Sequence, residues 1–198
     1  PCKKSYCNIK INVRKSQRGW SLVKVVAING SARINGNTAL LVESVFGQLN
    51  QEGISTEIIS LGANAPKGCS ACYRCFESQN QACSMTNDAM NELIGKMLSA
   101  DGIILASPTY FADVSAGMKA LIERAGMVAR ANKNMFRHKV GAGIVAVRRG
   151  GAIHTFDSMN HFFLISEMIV VGSIYWNLGI GRTPGEVMKD EEGIRTMA

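Results

Sequence analysis

Hydrophobic positions follow two different spacings along this chain. Short apolar runs rich in β-branched residues lie at 22–28, 54–61, 102–106, 140–147 and 168–172, as is typical of strands buried inside a parallel sheet. Between them, apolar residues recur at helical spacing, as at Leu41, Val45 and Leu49. The spacing predicts helices over 37–50, 86–99, 115–131 and 152–167.

The predicted elements alternate between strand and helix, which favours an α/β fold with a parallel sheet and right-handed crossovers. Five strands suit a flavodoxin-like three-layer sandwich in the order 2-1-3-4-5. In that order a ligand lies beyond the carboxyl ends of the strands, next to the first and third. The loops after the first, third and fourth strands are therefore the places to look for a binding site.

The loop after the first strand reads NGSARINGNT from Asn29 to Thr38 and leads into a helix. Backbone amides and the helix dipole favour a phosphate at such a helix N-terminus. The loop has no Gly-Lys-Ser/Thr sequence and no G-x-G-x-x-G sequence, so it is neither a nucleoside-triphosphate loop nor a dinucleotide fingerprint. An ordinary turn before a capped helix is the alternative. The candidate phosphate-binding residues are Ser31, Arg33, Asn35, Asn37 and Thr38.

The other two loops have residues suited to a flat ring. Pro108, Thr109, Tyr110 and Phe111 follow the third strand, and aromatic side chains there either stack on a ligand or belong to the core. Arg148, Arg149, Gly150 and Gly151 follow the fourth strand, where glycines allow close backbone approach and the two arginines either bind an anion or are solvated. A mononucleotide such as FMN would fit all three loops.

Four of the six cysteines fall within fifteen residues, in the spacing C-x2-C-x2-C-x7-C. Ferredoxin-type [4Fe–4S] sites use three cysteines spaced in this way. Structural zinc sites more often pair two C-x2-C units across a longer gap, and bare thiols are a third possibility. The candidate ligands are Cys69, Cys72, Cys75 and Cys83, and we expect a [4Fe–4S] cluster on them.

The formal net charge of +7 is concentrated at the N-terminus. Residues 1–20 hold six of the 22 basic side chains and no acid, and the 16 others nearly balance 15 acidic ones. A solvated basic tail over 1–20 is therefore predicted, followed by one domain over 21–198 with a cysteine-bearing insertion at 62–85. A tail that binds nucleic acid is a rival interpretation, but we expect neither nucleic acid nor a membrane as partner.

No secretory signal or membrane-length apolar run is present, and a cytoplasmic location is expected.

Together these motifs resemble the NADPH-dependent FMN reductase superfamily, and within it the iron–sulfur flavoproteins. The resemblance covers about residues 22–193. The phosphate loop is typical of the superfamily, and the cysteine motif is typical of the iron–sulfur flavoproteins within it. Further matching segments are Ser-Pro-Thr-Tyr-Phe at 107–111, Ser-Ala-Gly-Met-Lys at 115–119, Arg-Gly-Gly at 149–151, Pro-Gly-Glu-Val at 184–187 and Asp-Glu-Glu-Gly at 190–193.

The resemblance implies an oxidoreductase that carries FMN and a [4Fe–4S] cluster and passes electrons between them. It implies a ferredoxin-like or NAD(P)H donor, a small-molecule acceptor, and a homodimer or homotetramer. No side chain is expected to act as acid, base or nucleophile. The alternative is a cluster-free NAD(P)H-dependent FMN or quinone reductase with free thiols.

Two departures from the family pattern are noted. The basic leader has no family counterpart. The family closes with a helix after its fifth strand, whereas few residues remain after Asp190, so we expect a truncated end or a face covered by a neighbouring subunit.

Overall fold

A twisted parallel sheet forms the centre of the protein, and helices cover both of its faces. The computed structural model describes residues 23–198, so the basic segment 1–20 lies outside the described residues. The strands are β1 (Lys24–Asn29), β2 (Ser55–Ser60), β3 (Gly102–Pro108), β4 (Val140–Val147), β5 (Ile169–Val170) and β6 (Leu178–Ile180). The helices are α1 (Asn37–Gln51), α2 (Arg74–Ser78), α3 (Met90–Ser99), α4 (Ala116–Ala131), α5 (Ala152–Ile165) and α6 (Glu191–Met197).

The strand order is β2-β1-β3-β4-β5, all parallel, which confirms the predicted flavodoxin-like order. The last position is divided between two short strands. β5 pairs with the first residues of β4, and β6 pairs with Val145–Val147 at its carboxyl end. The sequence predicts one strand over 168–172 here, and β6 was not foreseen because three residues are too few for a periodic signal.

Apolar side chains fill two layers. The larger lies between the sheet and α3, α4 and α5, and includes the fully buried Leu105, Leu121 and Phe163. The smaller lies between the sheet and the pair α1 and α6, around Leu41 and Val187. Parallel strands buried on both faces explain why their sequences are continuous apolar runs.

Two features of the helices differ from the sequence predictions. The helix predicted from residue 86 begins at Met90, because Asp88 accepts the Met90 amide at 3.1 Å and the residues before it belong to the cysteine-bearing loop. A closing helix, α6, does follow the sheet, as in the family pattern and contrary to the expectation that too few residues remain after Asp190 to form one. It packs on α1 with Met197 buried in the smaller layer.

No helix within residues 23–198 is long and apolar enough to cross a bilayer.

Two helical glycines provide a matched test of this packing. A Cβ on Gly117 would lie 2.5 Å from the Ala65 Cβ, whereas a Cβ on Gly47 would meet no atom within 4 Å. We expect Gly117→Ala to lower the free energy of unfolding by about 1–3 kcal/mol through overpacking. Gly47→Ala should raise it by about 0.5–1 kcal/mol through backbone entropy. Urea denaturation of both variants measures this, and equal effects would contradict the close α4 contact.

Candidate functional site

A pocket of about 250 Å³ opens at the carboxyl ends of β1, β3 and β4, where the topology places a ligand. Four segments meet there: the loop after β1, the loop after β3, the end of β4 and the residues after β6. The lining residues are Ser31, Arg33, Gly36, Asn37, Thr38, Pro108, Thr109, Tyr110, Ala146, Arg148, Gly181 and Arg182.

Seven of the twelve residues predicted to bind a cofactor line this pocket. They are Ser31, Arg33, Asn37, Thr38, Pro108, Thr109 and Tyr110. The other five lie around it. Asn35 and Phe111 are exposed, the latter completely, and so are Arg149 and Gly150. Gly151 precedes α5 with φ of 88°, and a Cβ there would lie 2.9 Å from the Cα of Ala112.

The first loop is held by the buried side chain of Asn29. Its Oδ1 accepts the Ser31 amide at 3.0 Å, and its amide nitrogen donates to Ser60 at 3.2 Å. The hydroxyl oxygen of Ser31 in turn accepts the Arg33 amide at 3.1 Å. The serine O–H therefore remains available to donate towards the pocket. Sequence analysis missed Asn29 because it closes the strand and resembles any strand-ending polar residue.

The electrostatics of the pocket favour an anion. Gly36 precedes α1 in an extended conformation and supplies no side-chain cap, so the first amides of α1 have no side-chain partner at this position. The helix dipole adds partial positive charge. Arg33, Arg148 and Arg182 line the pocket, and no acidic residue is among its lining residues.

Arg182 was not predicted as a site residue. The turn that carries it is ordered by Glu186, whose carboxylate accepts the amides of Arg182 at 2.9 Å and Thr183 at 2.8 Å. These hydrogen bonds hold the pKa of Glu186 below its ordinary value, and the one from the Thr183 amide has the largest effect. Asn37 accepts the Gly185 amide at 2.9 Å and joins this turn to α1. No sequence signal locates Arg182 here, since its position depends on β6 lying beside β4.

The loop after β3 ends in a tight turn. Tyr110 and Asp113 exchange two backbone hydrogen bonds, and Phe111 and Ala112 between them have positive φ. Ser158 on α5 donates to the Asp113 carboxylate at 2.6 Å. Burial raises the pKa of Asp113, but the hydrogen bonds from Ser158 and Val114 outweigh it and leave the pKa lowered. The turn therefore presents Tyr110 to the pocket on a fixed backbone.

The four predicted cysteine ligands line one cavity at the other end of α4. The enclosed part of this cavity measures about 20 Å³. All four thiols are free; Cys75 is buried, Cys72 is exposed, and Cys69 and Cys83 are half-buried. Within residues 23–198, no three His, Cys, Asp or Glu side chains gather closely enough to ligate one metal ion. The four thiols thus share one cavity.

Each end of the cysteine-bearing loop provides polar contacts to sulfur. The Ala71 amide donates to Cys69 Sγ at 3.4 Å, and Cys72 Sγ lies 3.4 Å from the Ser84 hydroxyl. The Ser84 contact is the main cause that lowers the pKa of Cys72 to about 7. Burial raises the pKa of the Cys75 thiol. Left-handed backbone at Ala71 and Tyr73 turns the chain sharply between the cysteines.

A buried arginine on α4 organises this loop. Arg124 is 1% exposed and donates through Nε to Cys83 Sγ at 3.3 Å. Its other nitrogens donate to the carbonyl oxygens of Lys67 at 3.2 Å and Met85 at 2.7 Å, and to the Asp88 carboxylate. Sequence analysis missed Arg124 because a basic residue within a helix normally faces solvent.

The same helix joins the two sites. Ser115, which caps α4 by accepting the Met118 amide, donates to the Gly30 carbonyl in the first pocket loop at 2.6 Å. Nine residues further along lies Arg124, which corresponds to about 13 Å at the helical rise of 1.5 Å per residue. The pocket and the cysteine cavity therefore flank one rigid element.

Comparison with known proteins agrees with this arrangement. Residues 23–183 match the family described as NADPH-dependent FMN reductase. An iron–sulfur flavoprotein of Methanocaldococcus jannaschii is 39% identical over an alignment of 181 residues that covers 88% of this chain and 91% of that protein. One from Methanosarcina thermophila is 31% identical, over 89% of this chain and 90% of that protein.

Among solved structures, the NAD(P)H:quinone oxidoreductase from Methanothermobacter marburgensis superposes with a TM-score of 0.63. It shares 15% sequence identity, and the match covers 88% of this chain and 96% of that one. At this identity the likeness concerns the fold. The family match and the two archaeal relatives confirm the predicted family and the FMN prediction: the chain belongs to the NADPH-dependent FMN reductase family, among the iron–sulfur flavoproteins, and is an FMN-binding oxidoreductase.

Proposed function

We propose that this protein transfers electrons between FMN in the pocket and a [4Fe–4S] cluster bound by Cys69, Cys72, Cys75 and Cys83. The observation that carries the proposal is that all four thiols line one cavity, at the opposite end of α4 from the pocket. When bound, FMN exchanges one or two electrons and the cluster exchanges one, so the pair links one-electron to two-electron chemistry.

The donor set fits a cluster better than a single zinc ion. Four thiolates around one zinc ion must converge on a point, with bonds of about 2.3 Å. A cubane binds one thiolate at each of four separate irons, so its ligands surround a volume. Three of the four thiols that line this cavity are spaced three residues apart, as in ferredoxin-type sites. Contacts from Ala71, Ser84 and Arg124 to sulfur provide the outer hydrogen bonds typical of such sites.

In the pocket, we assign the FMN phosphate to the N-terminus of α1. Ser31, Asn37 and Thr38 would supply polar groups, and Arg33 with Arg148 and Arg182 would supply charge. Pro108, Thr109 and Tyr110 would border the flavin ring. Asn35, Phe111 and Arg149–Gly151 remain predicted ring or phosphate contacts at the rim. This chain's part is to bind and orient the cofactors, and no side chain need take a proton.

For partners we propose a ferredoxin-like or NAD(P)H donor and a small-molecule acceptor. A homodimer or homotetramer is supported by a band of exposed apolar side chains on α5 and the segment after it. The band consists of Leu164, Ile165, Ile169, Val171, Ile174, Tyr175 and Trp176. Free thiols and an oxygen-sensitive group suit a reducing compartment, which supports a cytoplasmic location.

The cluster proposal is tested by replacing one ligand. We expect anaerobically reconstituted parent protein to hold about four irons per chain with matching acid-labile sulfide. Cys75→Ser should lose most of this iron and the broad visible absorption, because one corner of the cluster loses its thiolate. Cys7→Ser, outside the motif, is the matched control and should equal the parent.

Iron retention by Cys75→Ser at the parental level would contradict the cluster assignment. FMN without iron in the parent would instead favour the cluster-free NAD(P)H-dependent FMN or quinone reductase. Stoichiometric zinc in place of iron would make the loop a structural metal site.

The phosphate assignment is tested with two arginine variants. Loss of a hydrogen bond between charged groups costs about 1.5–3 kcal/mol, so Arg182→Met should weaken FMN binding roughly 10- to 100-fold. Arg130→Met removes an exposed arginine outside the pocket lining and is the control. Fluorescence titration of the apoprotein with FMN measures both.

Riboflavin, which lacks the phosphate, separates charge recognition from general damage. Its affinity should be nearly the same in the parent and in Arg182→Met. An equal loss of riboflavin and FMN affinity would contradict a role for Arg182 at the phosphate.

A further inference from the structure

We propose that Arg124 is a positioning residue that raises the reduction potential of the cluster held by the four cysteines. The inference rests on the proposed function, because it concerns this chain's own residue beside the proposed ligands. It adds an electrostatic role for a side chain that is neither a ligand nor a flavin contact.

The hydrogen bonds of Arg124 fall into two groups, one that holds the loop and one that reaches a cysteine sulfur. Carbonyl oxygens of Lys67 and Met85 and the carboxylate of Asp88 take both terminal nitrogens of the guanidinium, and these bonds join the two ends of the loop. The remaining donor, Nε, is directed to Cys83 Sγ at 3.3 Å. The loop contacts alone would hold the backbone, so the fourth contact points to an effect on sulfur.

Hydrogen bonds with Asn91 hold Cys83 in position for its contact with Arg124. Asn91 on α3 accepts the Cys83 amide at 2.7 Å and donates to its carbonyl at 2.9 Å. Both backbone groups of Cys83 are thus fixed, and its side chain faces the guanidinium. By contrast, Cys72 is exposed and its sulfur lies next to the neutral Ser84 hydroxyl.

Burial strengthens the electrostatic effect of the Arg124 guanidinium on its surroundings. Arg124 is 1% exposed, so water screens its charge weakly. Its Nε–H is directed to Cys83 Sγ, whereas Asp88 pairs with a terminal nitrogen of the guanidinium. One-electron reduction of the bound cluster, with dithionite as reductant, adds one negative charge and no proton to the site. A nearby positive charge and a hydrogen bond to a ligand sulfur both favour the reduced form.

The test compares midpoint potentials in anaerobic redox titrations of the holoprotein, followed by visible and EPR spectra. Arg124→Met should shift the cluster equilibrium towards the oxidised form by about tenfold or more, which for one electron is about 59 mV more negative. Arg124→Lys keeps the charge and should fall between Arg124→Met and the parent. Arg130→Met removes an exposed charge from the same helix and should leave the potential unchanged.

Asp88→Asn supplies an independent test of opposite sign. It removes the carboxylate that offsets the guanidinium while keeping an acceptor oxygen, so the potential should become more positive. A purely structural role predicts no such opposite shifts. If Arg124→Met does not assemble a cluster, the midpoint potentials of Asp88→Asn and Arg124→Lys still test the proposal.

Opposite shifts in Arg124→Met and Asp88→Asn support the proposal. Parental potentials in both, with about four irons per chain, would overturn it and leave the proposed function standing. A parent protein without iron would overturn the proposed function itself. The FMN potential in each variant is the internal control, since the flavin pocket lies at the other end of α4.

Discussion

The buried guanidinium of Arg124 is the constraint on which the cysteine-bearing loop depends. A charge in the interior is costly unless every donor has a partner, and here the partners are carbonyls from both ends of the loop, the Asp88 carboxylate and Cys83. A loop with left-handed residues between its cysteines has few apolar side chains to hold it. Its shape is therefore fixed mainly by polar contacts to α4.

Helix α4 extends this constraint to the pocket. At its start, Ser115 binds the Gly30 carbonyl and the Met118 amide, and further along Glu123 accepts the Cys69 amide at 3.2 Å. Because α4 packs on the sheet, the pocket and the cysteine cavity lie beside one rigid helix. This arrangement suits the electron transfer proposed above, which depends on the distance and orientation of the cofactors.

The pocket depends on the chain returning to the sheet after α5. The short β6 extends the sheet beside the carboxyl end of β4, and Asn37 then binds the Gly185 amide. These contacts place Arg182 near Arg33 and Arg148, and α6 covers the face behind them. The anion-binding character of the pocket thus comes from segments that are about 150 residues apart in sequence.

Local patterns were sufficient to locate five of the strands, the first loop and the four clustered cysteines, because each is encoded by neighbouring residues: apolar runs, a helix N-terminus, or fixed spacing. The strand order followed from the alternation of strands and helices, which suits the flavodoxin-like sheet. They could not locate Arg182, Asn29 or Arg124, whose roles depend on partners distant in the chain. Nor could they show that Phe111 faces solvent while Tyr110 lines the pocket, since that depends on the turn closed by Asp113. The sequence by itself determined the fold and the chemical groups available, because these follow from local periodicity and composition. Tertiary structure alone decided which charges face each site, because long-range packing brings them together.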